Sequence, residues 1–316
     1  MTPFDVIATV GPSLFQPGKL EAVAQLGATI LRINGAHLDW GNAASLIQQI
    51  RARAPGKPIL LDISGRKIRL CHISQPLHLH IGECFRLLRN QMNFPQIIEQ
   101  AREGTKVSAV DGLIQLVVVR VDPGFIEFEA RTGGILSNGK GLHFEQTRLE
   151  LPPTSPIEEG QILSVNGLID LYGLSFVHTA EDIAYFQRLI GDPDTRRILP
   201  KIETGEAVSN LESILDRTSV ALIDRGDLSS EIGMGKVVKV VRHIIHACKS
   251  RGKRIFVATH FLRSMVQNPA PTMSEYFDLH SMLDLNIDGL QFSDETAIGQ
   301  FPEECLRILQ EARESR

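Results

Sequence analysis

A lysine and a glutamate lie two residues apart in the stretch RILPKIETGEA, residues 197–207. Residues two apart in a β-strand project to the same side, so Lys201 and Glu203 extend together while Ile202 faces the other way. An ammonium beside a carboxylate at the end of an apolar strand is typical either of a surface ion pair or of the edge of a charged active site. The residues that end the other strands favour the active site.

Carboxylates and cations follow several apolar strands. Glu203 and Asp227, which end neighbouring predicted strands, offer two carboxylates to a hard divalent cation, which takes oxygen ligands and often keeps waters for substrate oxygens. Arg32 and Arg69 join the strand lysine as positive charges for an anionic substrate. The bare backbone of Gly226 lets a ligand approach, and amides there can hold a carboxylate. These residues predict a metal-assisted site for a small phosphorylated or carboxylated anion.

The elements that position these residues are apolar strands that alternate with amphipathic helices. Helical periodicity appears in residues 19–27, 236–252 and 302–315. Eight runs are apolar almost throughout, as strands buried on both faces of a parallel sheet should be; they are residues 5–10, 29–34, 58–64, 170–176, 197–203, 219–225, 254–259 and 289–293. Eight such βα units favour a (β/α)8 TIM barrel of the α/β class over an open doubly wound sheet.

An irregular segment interrupts the alternation after the third strand. It contains β-runs broken by turns at Asp-Gly and Asp-Pro-Gly, and then a glycine-rich loop. We therefore expect a first part of the barrel in residues 1–66, an inserted β-rich lid domain in residues 67–160, and the remainder of the barrel in residues 161–316. Because active sites of such barrels lie at the carboxyl ends of the strands, we expect the polar strand ends to form one site.

Composition and charge exclude several classes of protein. The 316 residues are 43% hydrophobic and 22% charged, as in a soluble globular protein. A net charge of −4 gives no basic surface for nucleic acid, and no apolar stretch approaches the ~18 residues of a membrane span. Asp5 interrupts the apolar run that a signal peptide needs. We expect a cytoplasmic enzyme without nucleic-acid or membrane partners, for which a homodimer is an open alternative.

Nine segments of the chain resemble the signature segments of the pyruvate kinase family, in that family's order. They cover almost the whole sequence, and several fall on the strand ends identified above. The segments are ATVGPS, LRINGAH, DISGRKIR, NGKGLHF, LSFVHTAEDI, LPKIETGEAVSNL, RGDLSSEI, ATHFLRSMVQNPAPTMSE and FSDETAIGQFPEE. The inserted segment resembles the family's lid domain. Because the sequence stops soon after the eighth helix, we expect the family's usual C-terminal domain to be absent.

The resemblance implies a role for each matching residue. Glu203 and Asp227 resemble the ligands of Mg²⁺ (or Mn²⁺), and Lys201 resembles the lysine that neutralises the transferred phosphoryl group. The catalytic set comprises Lys201, Thr259, Arg32, Ser293 and Glu295. The residues implied to bind phosphoenolpyruvate or pyruvate are Arg32, Lys201, Gly226, Asp227, Thr259 and Ser175. The residues implied to bind ADP or ATP are Arg69, His37, Lys140 and Asn34. The implied ligands of a monovalent cation, K⁺, are Asn34, Asp62 and Ile63.

Several positions depart from the family pattern. Ala36 lacks a hydroxyl that would bind the monovalent cation. Ile63 can still offer its backbone carbonyl, but the lysine that the family has in this segment is missing. Asp224 replaces a small residue and adds negative charge next to the expected metal and carboxylate. The substrate and metal end is therefore largely retained, whereas the K⁺ and nucleotide end is altered, and independence of K⁺ is an open alternative.

Three functions remain compatible with this sequence. The first is Mg²⁺-dependent phosphoryl transfer between phosphoenolpyruvate and ADP, which gives pyruvate and ATP. The second is a divergent Mg²⁺-dependent enolate enzyme acting on pyruvate or oxaloacetate as an aldolase, lyase or decarboxylase, with His260 or His37 as the base. The third is a non-catalytic paralogue. A retained, charge-matched set of functional residues argues against the third.

Overall fold

The computed structural model describes residues 4–110, 112–144, 150–192, 194 and 197–315. The chain divides into two compact units. One consists of Met1–Ser64 with Gln161–Arg316, and the other consists of Gly65–Gly160. No helix in the described ranges combines the length and the apolar character that crossing a bilayer requires.

Strands and helices alternate on both sides of a segment that consists mostly of strands. The elements that precede this insertion are β1 (Asp5–Thr9), α1 (Lys19–Gln25), β2 (Ile30–Asn34), α2 (Ala43–Arg53) and β3 (Ile59–Ile63). Those of the inserted unit are β4 (Ile68–Arg69), β5 (Leu77–Leu79), β6 (Cys84–Leu88), α3 (Ile97–Gln100), β7 (Lys106–Ala109), β8 (Ile114–Asp122), β9 (Phe125–Ala130), β10 (Gly134–Leu136) and β11 (Gly141–Phe144). Those that follow are α4 (Pro156–Val165), β12 (Leu171–Leu174), α5 (Ala180–Ile190), β13 (Ile198–Ile202), α6 (Gly205–Ser209), α7 (Leu211–Arg217), β14 (Val220–Asp224), α8 (Arg225–Ile232), α9 (Met234–Ser250), β15 (Arg254–Ala258), α10 (Met273–Asp284), β16 (Gly289–Phe292), α11 (Asp294–Ala297) and α12 (Pro302–Glu314).

Eight parallel strands close the first unit into a barrel in the order β1-β16-β15-β14-β13-β12-β3-β2. Each lies within one of the eight apolar runs of the sequence, so the prediction of a TIM barrel is confirmed. Helices separate consecutive strands, as parallel pairing requires. The long helix α9 ends as its sequence predicts, because Gly252 adopts a φ of 64° and the amide of Lys253 donates to the carbonyl of Cys248 at 2.9 Å.

Side chains of the barrel strands alternate between the barrel interior and the helix layer. A separate apolar cluster fills the interior and consists of Ile7, Ile30, Leu60, Leu199, Val220, Leu222, Phe256 and Ala258. The residues two further along five of these strands are polar and buried: Thr9, Arg32, Asp62, Lys201 and Asp224. Since the period is two, these side chains face the interior directly beyond the apolar layer, at the carboxyl ends of the strands.

The inserted unit is built from antiparallel β-structure, so the predicted β-rich insertion after the third strand is confirmed. It contains a six-stranded sheet in the order β4-β11-β7-β8-β9-β6 and a two-stranded sheet of β5 and β10. Its own apolar core includes Phe94, Phe128 and Phe144. A unit with its own core can hold its shape through its own contacts.

Phe186 on α5 provides a test of the packing between helices and barrel. Its ring is 0% exposed and meets Tyr172 of β12 edge-on, with 5.3 Å between the ring centroids. We expect Phe186→Ala to lower the free energy of unfolding by ~3–5 kcal/mol, because it leaves a cavity. Phe277→Ala, at a ring 66% exposed on α10, should change it by less than ~0.5 kcal/mol. Urea unfolding of both variants checks this, and equal losses would contradict the packing described.

Candidate active site

A single ammonium lies at the centre of the polar layer at the barrel mouth. The Nζ atom of Lys201 donates to Ser175 Oγ at 3.1 Å and lies 3.2 Å from Glu203 Oε2. It also lies 3.6 Å from Asp224 Oδ2 and 3.7 Å from Asp62 Oδ2. Lys201 and Glu203 therefore project together as their spacing predicts, into a buried charged cluster and not onto the surface.

Opposite charges fix the ionisation of Lys201 and Asp62. Burial opposes the charge of Lys201, but Asp62, Glu203 and Asp224 outweigh that effect and raise its pKa. Burial likewise opposes the charge of Asp62, yet Lys201 and Arg32 hold the pKa of this carboxyl below its usual value. Lys201 is thus a permanent cation near neutral pH, suited to stabilising negative charge and not to accepting a proton.

Glu203 is the least satisfied member of the cluster. Its side chain is 0% exposed, and its Oε1 accepts a hydrogen bond from the amide of Phe176 at 2.8 Å. Its Oε2 lies 3.2 Å from the ammonium of Lys201, and none of the described residues donates a hydrogen bond to it. Burial, reinforced by Asp224 and Asp227, raises the pKa of Glu203 to about 8 in spite of Lys201. One ammonium is shared among three buried carboxylates, so it cannot compensate all of them.

Three acidic side chains converge at this point. Oxygen atoms of Glu203, Asp224 and Asp227 all lie within 4.8 Å of one another. Hard divalent cations prefer such oxygen donors, and a cation would satisfy the buried Oε2 of Glu203, which is paired with Lys201 but accepts no hydrogen bond from the described residues. Burial raises the pKa of Glu203, and repulsion by Asp224 and Asp227 adds to that effect. The residues present therefore fit a divalent metal ion, and Asp224 extends the pair expected from the sequence to three.

Arg32 shares the carboxylate of Asp62 with Lys201. Its Nε and Nη2 atoms lie 2.7 and 2.5 Å from Asp62 Oδ2, and its Nη1 donates to Thr9 Oγ1 at 2.9 Å. The hydroxyl of Thr9 in turn donates to the carbonyl of Phe292 at 2.7 Å. These contacts fix the guanidinium at the mouth, where it links β1, β2, β3 and β16.

The amino end of α8 forms a second part of the site. Asp224 is the N-cap residue, and its Oδ1 accepts hydrogen bonds from the amides of Gly226 at 3.1 Å and Asp227 at 3.4 Å. The hydroxyl of Thr259 accepts from the Gly226 amide at 2.9 Å, and its one hydrogen can go to the carbonyl of Ala258 at 2.7 Å or to Asp224 Oδ1 at 3.1 Å. Two amides therefore meet on one carboxylate oxygen, with a hydroxyl as a third donor within reach.

The loop after β15 holds Thr259 in a strained conformation. Thr259, His260 and Leu262 have φ values of 67°, 59° and 50°, which is unusual for any residue with a Cβ and more so for a β-branched one. Arg225 secures the loop, because its guanidinium donates to the Thr259 carbonyl at 2.6 and 3.1 Å and to Asp278 at 2.8 Å. Such strain persists where surrounding contacts overdetermine the backbone, and it clusters at functional sites.

Ser293 and Glu295 follow β16 and contact one another. Glu295 Oε2 accepts from the amide of Ser293 at 2.8 Å, and burial raises the pKa of this carboxyl. The hydroxyl of Thr296, one residue on, donates to the carbonyl of Thr9 at 3.0 Å. The segment is thereby attached to β1, beside the strand end that holds Arg32.

The remaining predicted site residues lie outside the central cluster. Asn34 Oδ1 accepts from the amide of Ala36 at 3.1 Å, His37 is exposed, and Ile63 is buried within β3. Arg69 and Lys140 belong to the inserted unit, where Arg69 Nη1 donates to the carbonyl of Gly139 at 2.9 Å. Their assignment to nucleotide or monovalent cation stays a prediction.

The structure adds groups that the site prediction omits. The sequence predicts only added charge at Asp224, yet this residue both caps α8 and joins the acidic cluster. Its position at the last residue of an apolar strand is the signal that could have found it. Thr9 and Arg225 also position site residues, and Thr9 ends the first strand in the same way. The backbone amide of Phe176 holds Glu203, and because any residue type would supply that amide, the sequence gives no signal for this contact.

Comparisons with known proteins point to one family. The model of the family described as pyruvate kinase, barrel domain, matches residues 2–306. Pyruvate kinases of Sporosarcina psychrophila and Geobacillus stearothermophilus are 31% and 30% identical to this chain, over 96% of it and 55% of their own length. The pyruvate kinase of Thermotoga maritima is 27% identical over 96% of this chain and 69% of its own length. The chain spans about half the length of the first two relatives.

Glu203 should make the metal-free protein less stable as the pH rises. Its pKa is about 8 in the folded state against 4.5 ordinarily, so between these values the folded state binds more protons than the unfolded state. Stability must therefore fall with rising pH in this window. From pH 5.5 to 8, in EDTA, we expect the wild type to lose on the order of 3 kcal/mol relative to Glu203→Gln. Urea unfolding at both pH values measures this difference.

A matched acid controls the experiment. Glu212→Gln, at a side chain 81% exposed on α7, should retain the pH dependence of the wild type. Added Mg²⁺ should stabilise the wild type at pH 8 and leave Glu203→Gln nearly unchanged. An identical pH dependence in the wild type and Glu203→Gln would show that Glu203 is ionised throughout.

Proposed function

Because the chain belongs to the pyruvate kinase family, we propose that its barrel mouth catalyses Mg²⁺-dependent phosphoryl transfer between phosphoenolpyruvate and ADP, which gives pyruvate and ATP. The observation that carries this proposal is the buried ammonium of Lys201 between Glu203, Asp224 and Asp62. Phosphoryl transfer requires little covalent chemistry from a protein and mainly needs charges fixed in position. A permanent cation beside a metal-binding acidic cluster supplies that arrangement.

We assign the divalent ion to Glu203 and Asp227, and the ion would supply positive charge to the oxygens of the phosphoryl group. Lys201 stabilises the same oxygens by a charge that does not titrate near neutral pH, since its pKa is raised. Arg32, fixed by Asp62 and Thr9, presents its guanidinium to the phosphoryl group from the end of β2. The bond between phosphorus and the enol oxygen breaks, and the phosphoryl group passes to ADP.

We assign the remaining roles to the other strand ends. The amides of Gly226 and Asp227, with the hydroxyl of Thr259, bind the substrate carboxylate, and Ser175 contacts the substrate beside Lys201. The enolate left by phosphoryl transfer takes a proton at its terminal carbon to become pyruvate. Thr259 lies on the route of that proton, with two further members in Ser293 and Glu295.

We place the nucleotide at Arg69, His37, Lys140 and Asn34, as the family resemblance implies. For the monovalent cation, the three candidate ligands are Asn34, Asp62 and Ile63. The oxygens of Asp62 already accept from Arg32 and Ser175, and Asn34 Oδ1 is used by the amide of Ala36. Together with the hydroxyl missing at Ala36, these contacts favour activity that does not depend on K⁺.

Lys201→Met tests the central proposal. In a coupled assay for pyruvate with phosphoenolpyruvate, ADP and Mg²⁺, we expect turnover to fall by at least ~10³-fold, because the transition-state charge loses its fixed cation. Binding of Mn²⁺, measured by electron paramagnetic resonance, should be largely retained, because the acidic cluster remains. Lys239→Met, at an exposed lysine on α9, should behave as the wild type. Near-normal turnover of Lys201→Met would remove Lys201 from its proposed role.

The same assay tests the monovalent cation. We expect turnover in tetramethylammonium chloride to be within about twofold of turnover in KCl, since the candidate ligands are engaged by protein groups. A loss of tenfold or more without K⁺ would show that Asp62 or Asn34 exchanges these partners for the cation.

A second candidate function is enolate chemistry without a nucleotide. Asp224 favours it, because a third carboxylate at the mouth opposes a substrate as highly charged as phosphoenolpyruvate. The imidazole of His260 lies beside Gly226 at the amino end of α8, where it could act as the base. Exchange of the pyruvate methyl protons in deuterated buffer with Mg²⁺ but without ADP, and no ADP-dependent turnover, would favour this function. Metal binding with neither activity would favour a non-catalytic protein.

A further inference from the structure

The carboxylate of Asp224 occupies hydrogen-bond donors that a ligand would otherwise use. Its Oδ1 accepts hydrogen bonds from the amides of Gly226 and Asp227 at 3.1 and 3.4 Å and lies 3.1 Å from the hydroxyl of Thr259, in the loop after β15. The two amides lie at the first turn of the eight-residue helix α8, where backbone amides and the helix dipole favour an anion. The side-chain carboxylate of Asp224 therefore occupies an anion-binding site of the kind that the carboxylate of a ligand would use.

The other side of Asp224 faces the charged cluster. Its Oδ2 lies 3.6 Å from the ammonium of Lys201, and its carboxylate is within 4.8 Å of oxygens of Glu203 and Asp227. The buried Oε2 of Glu203 is paired with Lys201 but accepts no hydrogen bond within the described part of the chain, and it marks the same point as a place for a bound group. Asp224 thus lies between the amino end of α8 and the ammonium of Lys201.

The net charge of the cluster also indicates that Asp224 opposes the binding of an anion. The cluster contains two cations, Lys201 and Arg32, and four carboxylates, Asp62, Glu203, Asp224 and Asp227. A divalent ion would bring the fully ionised cluster to neutrality. Without Asp224 the same ion would leave a positive charge to attract an anionic ligand. Asp224 therefore competes with an acid ligand both for donors and for charge.

We propose that Asp224 is a specificity-determining residue, an internal anion that must leave the donors of α8 and Thr259 before a ligand's carboxylate can bind there. It weakens the binding of carboxylic acids, and it weakens that of multiply charged ones most. The inference rests on the carboxylate seat of the proposed function but not on phosphoryl transfer. Asp224 acts through the donors that it occupies and through its charge.

Acetate tests the seat in the absence of metal. In EDTA and NaCl, Asp224→Ala should unfold at a lower temperature than the wild type, because α8 loses its cap. Sodium acetate at the same ionic strength should restore at least half of that loss, because acetate fills the vacated seat and binding stabilises the folded state. Acetate should leave the melting temperature of the wild type and of Asp216→Ala, at an exposed acid on α7, unchanged. Equal shifts in all three proteins, or no rescue of Asp224→Ala, would overturn the proposal.

Pyruvate tests specificity at saturating Mn²⁺. Isothermal titration should give a dissociation constant for pyruvate at least tenfold lower in Asp224→Ala than in the wild type, and a larger ratio for phosphoenolpyruvate. If Asp224→Ala does not fold, Asp224→Ser keeps a good capping residue and carries the same expectation. Equal or weaker binding by the variant would overturn the proposal. Failure of the proposed function would appear separately, as wild-type protein without ADP-dependent turnover.

Discussion

The burial of one ammonium among carboxylates is the interaction on which the barrel mouth depends. An isolated charge is costly to bury, and it is tolerated only when it is paired and hydrogen-bonded. Lys201 has Ser175 and three carboxylates within 3.7 Å. Two of the carboxylates belong to strands β3 and β14, and the other two groups follow β12 and β13 directly. The barrel brings all of these partners to one lysine, because β12 and β14 flank β13, β3 lies next to β12, and the side chains of all four strand ends project into the barrel interior. The charged cluster therefore favours this arrangement of the strand ends, and the strand ends in turn hold the charged groups together.

The barrel places this cluster by a simple register rule. Interior side chains recur every second residue, so an apolar interior residue such as Leu199 is followed by Lys201, and Leu60 is followed by Asp62. The apolar layer excludes water from below and strengthens every electrostatic interaction above it. The same low polarity leaves Glu203 undercompensated. The ionised carboxylate of Glu203 thus lowers the stability of the folded protein, and a bound metal ion would offset that loss.

Backbone strain and helix capping position the other half of the site. Thr259 and the two neighbours with positive φ are held by Arg225, which spans from α8 to the loop after β15. The amino end of α8 is turned into the mouth, so its free amides need a partner. In this chain Asp224 provides that partner from within. The donors that favour an anionic ligand are consequently also the donors that stabilise the folded protein.

The sequence by itself determined the eight strands, the insertion after the third and the shared direction of Lys201 and Glu203, because these follow from local periodicity. Tertiary structure alone decided which partners the charged side chains take. Arg32 contacts Asp62 thirty residues away, and Asp224 accepts from Thr259, which follows the neighbouring strand. Such choices depend on which strands become neighbours on closure and on competition among several acids for few donors. Neither is encoded in the spacing of residues along one strand.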